Sequence, residues 1–187
     1  MKKIVVPILI LVLSFSCGRE TLPKPKSYLT LKYPENSYMK VVGDCPFSFE
    51  ISNLARIDLK NNCWATISYP QLRATIHITY REVHDNLDEI LKEVERLTFE
   101  HTIKADAIPT PVIYEDFDKK VFGTMYNVEG NVASNIQIRI TDSLNHVLSG
   151  ALYFYSRPNY DSIIPAIKYL EKDLIHLVET FEWKELN

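Results

Sequence analysis

The stretch at residues 132–155, VASNIQIRITDSLNHVLSGALYFY, decides the fold of this chain. Its two halves, 132–141 and 147–155, are rich in β-branched and aromatic residues, and the Asp, Ser and Asn between them are typical of a turn. Strands joined by so short a connection must be antiparallel, because a parallel crossover needs a dozen or more residues. Strands at 112–114 and 120–129 precede this pair, and Gly130-Asn131 supplies another turn, so the sequence predicts an antiparallel meander.

The N-terminal part of the chain also has the composition of strands. Residues 74–80 alternate between apolar and polar side chains, which indicates a half-buried strand. Five earlier segments are short, rich in β-branched and aromatic residues, and separated by Asn, Asp and Gly. We therefore predict strands at 28–33, 38–42, 47–51, 57–59 and 65–69.

Two segments change to a helical period. Apolar residues recur at three- and four-residue steps from 86 to 101, where Asn86 and Glu89 form a capping-box-like start. A second apolar stripe runs from 162 to 181, with Pro165 expected in the first turn, where its missing N–H breaks no helical bond. These patterns predict the α+β class, with a largely antiparallel sheet covered by two amphipathic helices.

The first seventeen residues have the layout of a bacterial lipoprotein leader. Lys2 and Lys3 precede a twelve-residue apolar run, and Ser16 places a small residue directly before Cys17. The run is too short for a hydrocarbon core that needs about 20 apolar residues. We predict a lipoprotein signal peptide at 1–16 and acyl chains on Cys17 that attach the protein to a membrane. The alternatives are an ordinary cleaved leader with an unmodified cysteine, or an uncleaved anchor.

The sequence after the leader predicts a short tether followed by one domain. Residues 17–27 contain the lipidated cysteine and a polar segment broken by Pro23 and Pro25, which indicates a flexible tether. Residues 28–187 suit a single globular α+β domain, because the composition is 46% hydrophobic with only five Gly. Without Lys2 and Lys3 of the leader, the chain has 19 basic and 24 acidic residues, which gives a net charge of −5. No basic run is present, so nucleic acid is not an expected partner.

Cys45 and Cys63 are the only other cysteines. Export would bring them to a compartment where disulfides persist, so we predict a bridge between them, and two buried reduced thiols are the alternative. The chain has no CxxC pair that would suggest a redox site or a zinc knuckle.

The sequence has none of the common motifs of catalytic sites. None of the five histidines lies in an HExxH pattern, and the glycines form neither a phosphate-binding loop nor a dinucleotide fingerprint. Asp142, Ser143 and His146 are close in sequence, but a hairpin turn commonly contains such residues and no GxSxG elbow accompanies them. We therefore predict no catalytic residue, no metal and no cofactor.

The densest aromatic stretch lies where the last strand leads into the last helix. Exposed Tyr and Arg are typical of protein interfaces, so Tyr153, Tyr155, Arg157 and Tyr160 are a candidate partner surface. The alternative is ordinary packing of aromatic side chains on a sheet.

Several runs resemble a known family. They are GALYFY at 150–155, RPNYDS at 157–162, YLEKDL at 169–174 and ETFEW at 179–183, together with Tyr69-Pro70-Gln71 and the Cys45-Pro46 and Cys63-Trp64 pairs. In these runs the chain resembles the GldD gliding motility lipoproteins of Bacteroidota. The resemblance implies a cell-envelope accessory protein required for gliding and associated with the type IX secretion and motility machinery. It transfers no catalytic residue.

We therefore expect a lipid-anchored, non-enzymatic assembly or scaffold subunit that faces the periplasm and contacts other envelope proteins of the gliding and secretion machinery. The alternative is a periplasmic module that binds a small lipid or glycan beneath its helices. As a fold-level analogy, the element order also resembles PsbP or Mog1-like α/β/α sandwiches.

Overall fold

Every strand pairing in the described chain is antiparallel, and the predicted α+β class is confirmed. The computed structural model describes residues 33–100, 105–155 and 159–184. Within these ranges the chain forms ten strands, two α-helices and a short 3-10 helix. The elements are β1 Tyr38–Val41, β2 Phe47–Ser52, β3 Arg56–Leu59, β4 Ala65–Tyr69, the 3-10 helix Pro70–Leu72, β5 Ala74–Glu82, α1 Leu87–Glu100, β6 Val112–Asp116, β7 Val121–Asn127, β8 Ser134–Thr141, β9 His146–Phe154, α2 Tyr160–Glu179 and β10 Glu182–Trp183.

The strands form two sheets. Seven strands pair in the order β3-β4-β5-β9-β8-β7-β6, and three pair in the order β1-β2-β10. The predicted meander is confirmed as β6 to β9, in which each strand lies beside the next along the chain. The sequence patterns did not predict that β9 also pairs with β5, so that the meander continues the sheet begun by β3, β4 and β5.

Some predicted boundaries were wrong. The second helix begins at Tyr160 because the Asn159 carbonyl already accepts bonds from the N–H groups of Ser162 and Ile163. Pro165 therefore lies in the second turn, where it has no N–H to donate one turn back. The helix ends at Glu179, and the next residues form β10 instead of continuing it. The strand predicted at 28–33 lies outside the described residues except for Tyr33, which is not in a strand.

Alternation along the strands gives the seven-stranded sheet two different faces. Ile76 and Ile78 lie on the apolar face, where their register partners on β9 are Leu152 and Gly150. Gly150 is required here because a Cβ at this position would lie 2.9 Å from Cγ1 of Ile138. The residues between them, such as His77, face the other side, where α1 lies.

The main core lies between the apolar face, β2 and α2. Phe47 and Phe49 of β2 and Phe181 directly after α2 are almost fully buried, with ring centroids about 6 Å apart. Burial of each such ring stabilises the fold by roughly 1.5–3 kcal/mol. The Thr180 hydroxyl donates to the His176 carbonyl at 2.7 Å and accepts the Glu50 N–H at 3.0 Å, which fixes the end of α2 to β2.

Cys45 and Cys63 form a disulfide in the structure, with their Cα atoms 5.5 Å apart. Cys45 lies just before β2 in the small sheet, and Cys63 lies in the turn between β3 and β4 at one edge of the large sheet. The bridge therefore ties the two sheets together covalently across 18 residues of sequence.

Removal of this bridge should destabilise the fold without changing it. For a loop of this size the chain-entropy model gives about 3 kcal/mol, because the unfolded chain gains conformational freedom. We expect the double variant Cys45→Ala, Cys63→Ala to lose about that much unfolding free energy in guanidinium denaturation. Reductant should destabilise the unmodified chain by a similar amount and leave the double variant unaffected; an equal response of both proteins would contradict the bridge.

Candidate functional site

Two of the predicted site residues, Cys17 and Arg157, lie outside the described residues. No helix among the residues that the structure describes is long and apolar enough to cross a membrane. Membrane attachment through Cys17 therefore stays a prediction from the leader sequence.

The other three residues of the predicted partner surface occupy different environments. Tyr155 lies just past β9 and is 58% exposed, while its N–H donates to the Arg73 carbonyl at 2.8 Å. Tyr153 is half-buried beneath α1. Tyr160 begins α2 and packs against the main core. Among these three tyrosines, Tyr155 is therefore the one that offers an exposed ring to a partner.

An exposed apolar edge was missed by the sequence analysis. Strand β6 lies at one edge of the large sheet. Ile113 in this strand is 69% exposed, and Phe117, the residue after the strand, is 73% exposed. An edge strand offers unpaired backbone groups to another chain. The pattern at 112–114 predicted a strand, but only the strand order shows that it lies at an edge.

Asp142, Ser143 and His146 form a turn in the structure. Oδ1 of Asp142 accepts the N–H groups of Leu144, Asn145 and His146 at 2.8–2.9 Å. This carboxylate closes the hairpin between β8 and β9, and Ser143 takes a left-handed conformation with φ 66°. The Asp142 side chain is therefore used for turn geometry, as the sequence interpretation favoured, and Nδ1 of His146 is hydrogen-bonded to the Tyr80 hydroxyl at 2.7 Å.

A cavity of about 310 Å³ lies between α1 and the polar face of the large sheet. It is the space beneath a helix in which the sequence analysis placed its alternative ligand site. Its polar wall comes from strands β5, β8 and β9, and its apolar cover comes from α1. The main lining side chains are His77, Thr79, Gln137, Ser149 and Tyr153 on the sheet and Val94 and Leu97 on the helix.

A buried polar network joins the start of the described chain to α2. Oδ1 of Asp173, a residue only 2% exposed, accepts the Asn36 amide at 2.7 Å and the Tyr38 hydroxyl at 3.2 Å. The Tyr38 ring stacks on His176 with centroids 3.6 Å apart, and His176 Nε2 lies 2.7 Å from a Glu50 carboxylate oxygen. The segment that follows the predicted tether is thereby held against α2.

Burial controls the charge of this network. Desolvation raises the pKa of Asp173 above its usual value of 3.8, although hydrogen bonds from Tyr69, Tyr38 and Asn36 and the nearby His176 oppose the rise. Burial, and then the Asp173 carboxylate, raise the pKa of Tyr69 as well. The ionised aspartate is therefore less stable in the folded chain than in water.

Asp173→Asn should change how stability depends on pH. A raised pKa means that the folded chain binds the proton more tightly, so the wild type loses stability as pH rises from about 3.8 through the folded pKa. The loss is about 1.4 kcal/mol for each pH unit that separates the folded pKa from the unfolded pKa. Asn keeps an acceptor oxygen for Asn36 and Tyr38 but carries no charge, so its urea-unfolding profile should be flatter and higher at neutral pH.

The matched control is Asp58→Asn on the exposed side of β3, which should leave the pH profile of the wild type unchanged. A profile for Asp173→Asn that parallels the wild type from pH 4 to 8 would contradict the assignment of this aspartate.

The sequence comparisons agree with the resemblance noted above. The family model described as "Gliding motility lipoprotein GldD" matches residues 18–183, which span all the described elements and most of the tether. No curated protein matches the chain. Because the match covers far more than half of the 187 residues, the chain belongs to the GldD gliding motility lipoprotein family.

Proposed function

We propose that the chain is a lipid-anchored, non-enzymatic subunit that assembles or scaffolds the gliding apparatus in association with the type IX secretion and motility machinery. Membership in the family makes it a gliding motility lipoprotein held at a membrane of the cell envelope. The family match over residues 18–183 is the observation that carries the proposal. The periplasmic orientation and the partners, which would be other envelope proteins, are part of the proposal.

Acylation of Cys17 would confine the domain to one membrane surface. One acyl chain binds a bilayer only marginally, whereas two or more hold a protein stably. Confinement raises the effective concentration of the domain beside a partner in the same membrane, without any new contact. A scaffold subunit needs this effect more than it needs a reactive group.

The first described residues support a firm connection between tether and domain. Tyr33 stacks on Tyr169 of α2 with centroids 4.5 Å apart, and the Tyr169 hydroxyl donates to the Pro34 carbonyl at 3.3 Å. A few residues on, Asn36 bonds to Asp173 of the same helix. The chain therefore reaches the domain at a fixed point on α2, and the tether sets the distance between that point and the membrane.

Two exposed surfaces support partner binding. Tyr155 directly follows β9, and Arg157 comes two residues later in the sequence. Ile113 and Phe117 lie at or just after the outer edge strand β6. Exposed aromatic and Arg side chains are enriched at interfaces, and large exposed apolar groups at a sheet edge are a common contact for another chain.

Replacement of the anchor cysteine tests the membrane part of the proposal. Cys17→Ala should abolish incorporation of labelled palmitate and move the protein out of the membrane fraction, because the acyl chains are its attachment. The matched control is the double variant Cys45→Ala, Cys63→Ala, which should keep its label. Equal labelling of the wild type and Cys17→Ala would exclude the lipid anchor.

Replacement of the exposed aromatic surface tests the partner part. Tyr155→Ala combined with Arg157→Ala should reduce recovery of envelope partners from crosslinked cells at least tenfold and leave the thermal stability unchanged, because Tyr155 is largely exposed. The control is Leu144→Ala on another exposed turn, 62% exposed. Undiminished recovery would exclude this surface, and loss of partners with Ile113→Lys alone would assign the contact to the β6 edge.

The ligand-binding alternative is favoured by one observation, the cavity beneath α1. The likeness to PsbP or Mog1-like sandwiches stays a prediction at the level of the fold.

A further inference from the structure

We propose that the cavity between α1 and strands β8 and β9 binds a small organic carboxylate with a short apolar body. This inference is independent of the scaffold role, because it depends only on the chemistry of the cavity wall.

Buried hydrogen-bond donors without acceptors carry the proposal. Gln137 lies in the cavity wall and is only 7% exposed, yet its Nε2 has no acceptor among the described residues. Two residues along β8, Arg139 has a buried Nε that also finds no acceptor in the described part of the chain. Folded proteins satisfy the large majority of buried donors, so two such groups side by side indicate a missing partner.

The two donors lie at the same place on the sheet. Alternation along β8 puts Gln137 and Arg139 on one face, and their register partners on β9 are Ala151 and Ser149. Both of these partners line the cavity. Nη2 of Arg139 donates a hydrogen bond to the Thr124 hydroxyl at 3.2 Å, whereas its Nε has no acceptor among the described residues.

The charge beside the wall favours an anion, because Arg139 is next to the lining residue Ser149 in the sheet. None of the described residues that line the cavity is Asp or Glu. The Glu93 carboxylate on α1 is engaged in an ion pair with Arg81. The Thr79 and Ser149 hydroxyls lie 2.8 Å apart and bond to each other. The wall thus offers the Gln137 amide as a donor, and the Arg139 guanidinium lies beside the wall on the same face of β8. A carboxylate supplies acceptor oxygens of the kind that both donors lack among the described residues.

The rest of the cavity selects an apolar body of limited size. Val94 and Leu97 cover it from α1, and Ala151 contributes to its floor. A volume of about 310 Å³ equals that of about ten water molecules at ~30 Å³ each, so it suits a ligand of about ten non-hydrogen atoms. Octanoate has this size and combines a carboxylate with an apolar chain.

The test compares octanoate with 1-octanol, which has a similar chain but no charge. The protein is the mature chain with Cys17→Ser, which contains every described residue and needs no detergent, and binding is measured by calorimetry. We expect octanoate to bind at least tenfold more tightly than octanol. Gln137→Leu should weaken octanoate at least tenfold and leave octanol within twofold, because only the carboxylate uses the amide.

A matched control and a second variant keep the outcome decisive. Gln71→Leu replaces an exposed glutamine and should bind octanoate like the parent chain. Ala151→Leu fills the cavity but keeps its donors, so it should abolish binding of both probes even if Gln137→Leu fails to fold. 3-Phenylpropionate serves as an aromatic carboxylate of similar size, and its binding would also support the proposal.

Absence of binding by both carboxylates would overturn the proposal. Equal affinity for octanoate and octanol, or unchanged octanoate affinity in a folded Gln137→Leu or Ala151→Leu variant, would overturn it as well. None of these results would bear on the scaffold role, which is tested by partner recovery from cells.

Discussion

The pairing of β5 with β9 is the constraint on which the rest of the structure depends. Nine residue pairs, from Ala74 with Phe154 to Glu82 with His146, join strands separated by α1 and most of the meander. This pairing makes one seven-stranded sheet from two shorter groups of strands. Without it neither helix would have a continuous face to pack on, and the pairing also closes a long loop, which costs conformational entropy.

The two faces of that sheet have separate roles. The apolar face, with Ile76, Ile78 and Leu148, packs with β2 and α2 in the main core, where burial of apolar surface stabilises the fold. The polar face is covered less completely by α1, and this leaves the cavity; nearby, Nε2 of Gln137 and Nε of Arg139 have no acceptor within the described part of the chain. Any ligand chemistry in this protein is therefore a consequence of the same alternation that builds the core.

Helix α2 holds the start of the described chain in place. This helix stacks Tyr169 on Tyr33 and holds Asn36 and Tyr38 through Asp173, and Thr180 directly after it is bonded to β2. The disulfide from Cys45 to Cys63 adds a covalent tie between the small sheet and the edge of the large one. These contacts join the first described residues, α2 and both sheets.

The sequence by itself determined the local elements and the family. The short turns required an antiparallel meander, and the period of the apolar residues placed both helices to within about two residues at each end. The motif runs around 150–183 identified the GldD family, which the family match confirmed.

Only the tertiary structure decided which strands are neighbours and which side chains are exposed. The period of the apolar residues indicates that a strand has an apolar face, but the order of the strands depends on contacts between distant segments. The local sequence therefore did not predict the edge position of β6, the second sheet or β10. The sequence predicted Tyr160 as part of a partner surface. In the structure α2 begins at this residue, and Tyr160 packs against the main core. In the sequence Gln137 is one polar position in an alternating strand. Only the packing of α1 over the sheet shows that its amide is buried and that its Nε2 has no acceptor among the described residues.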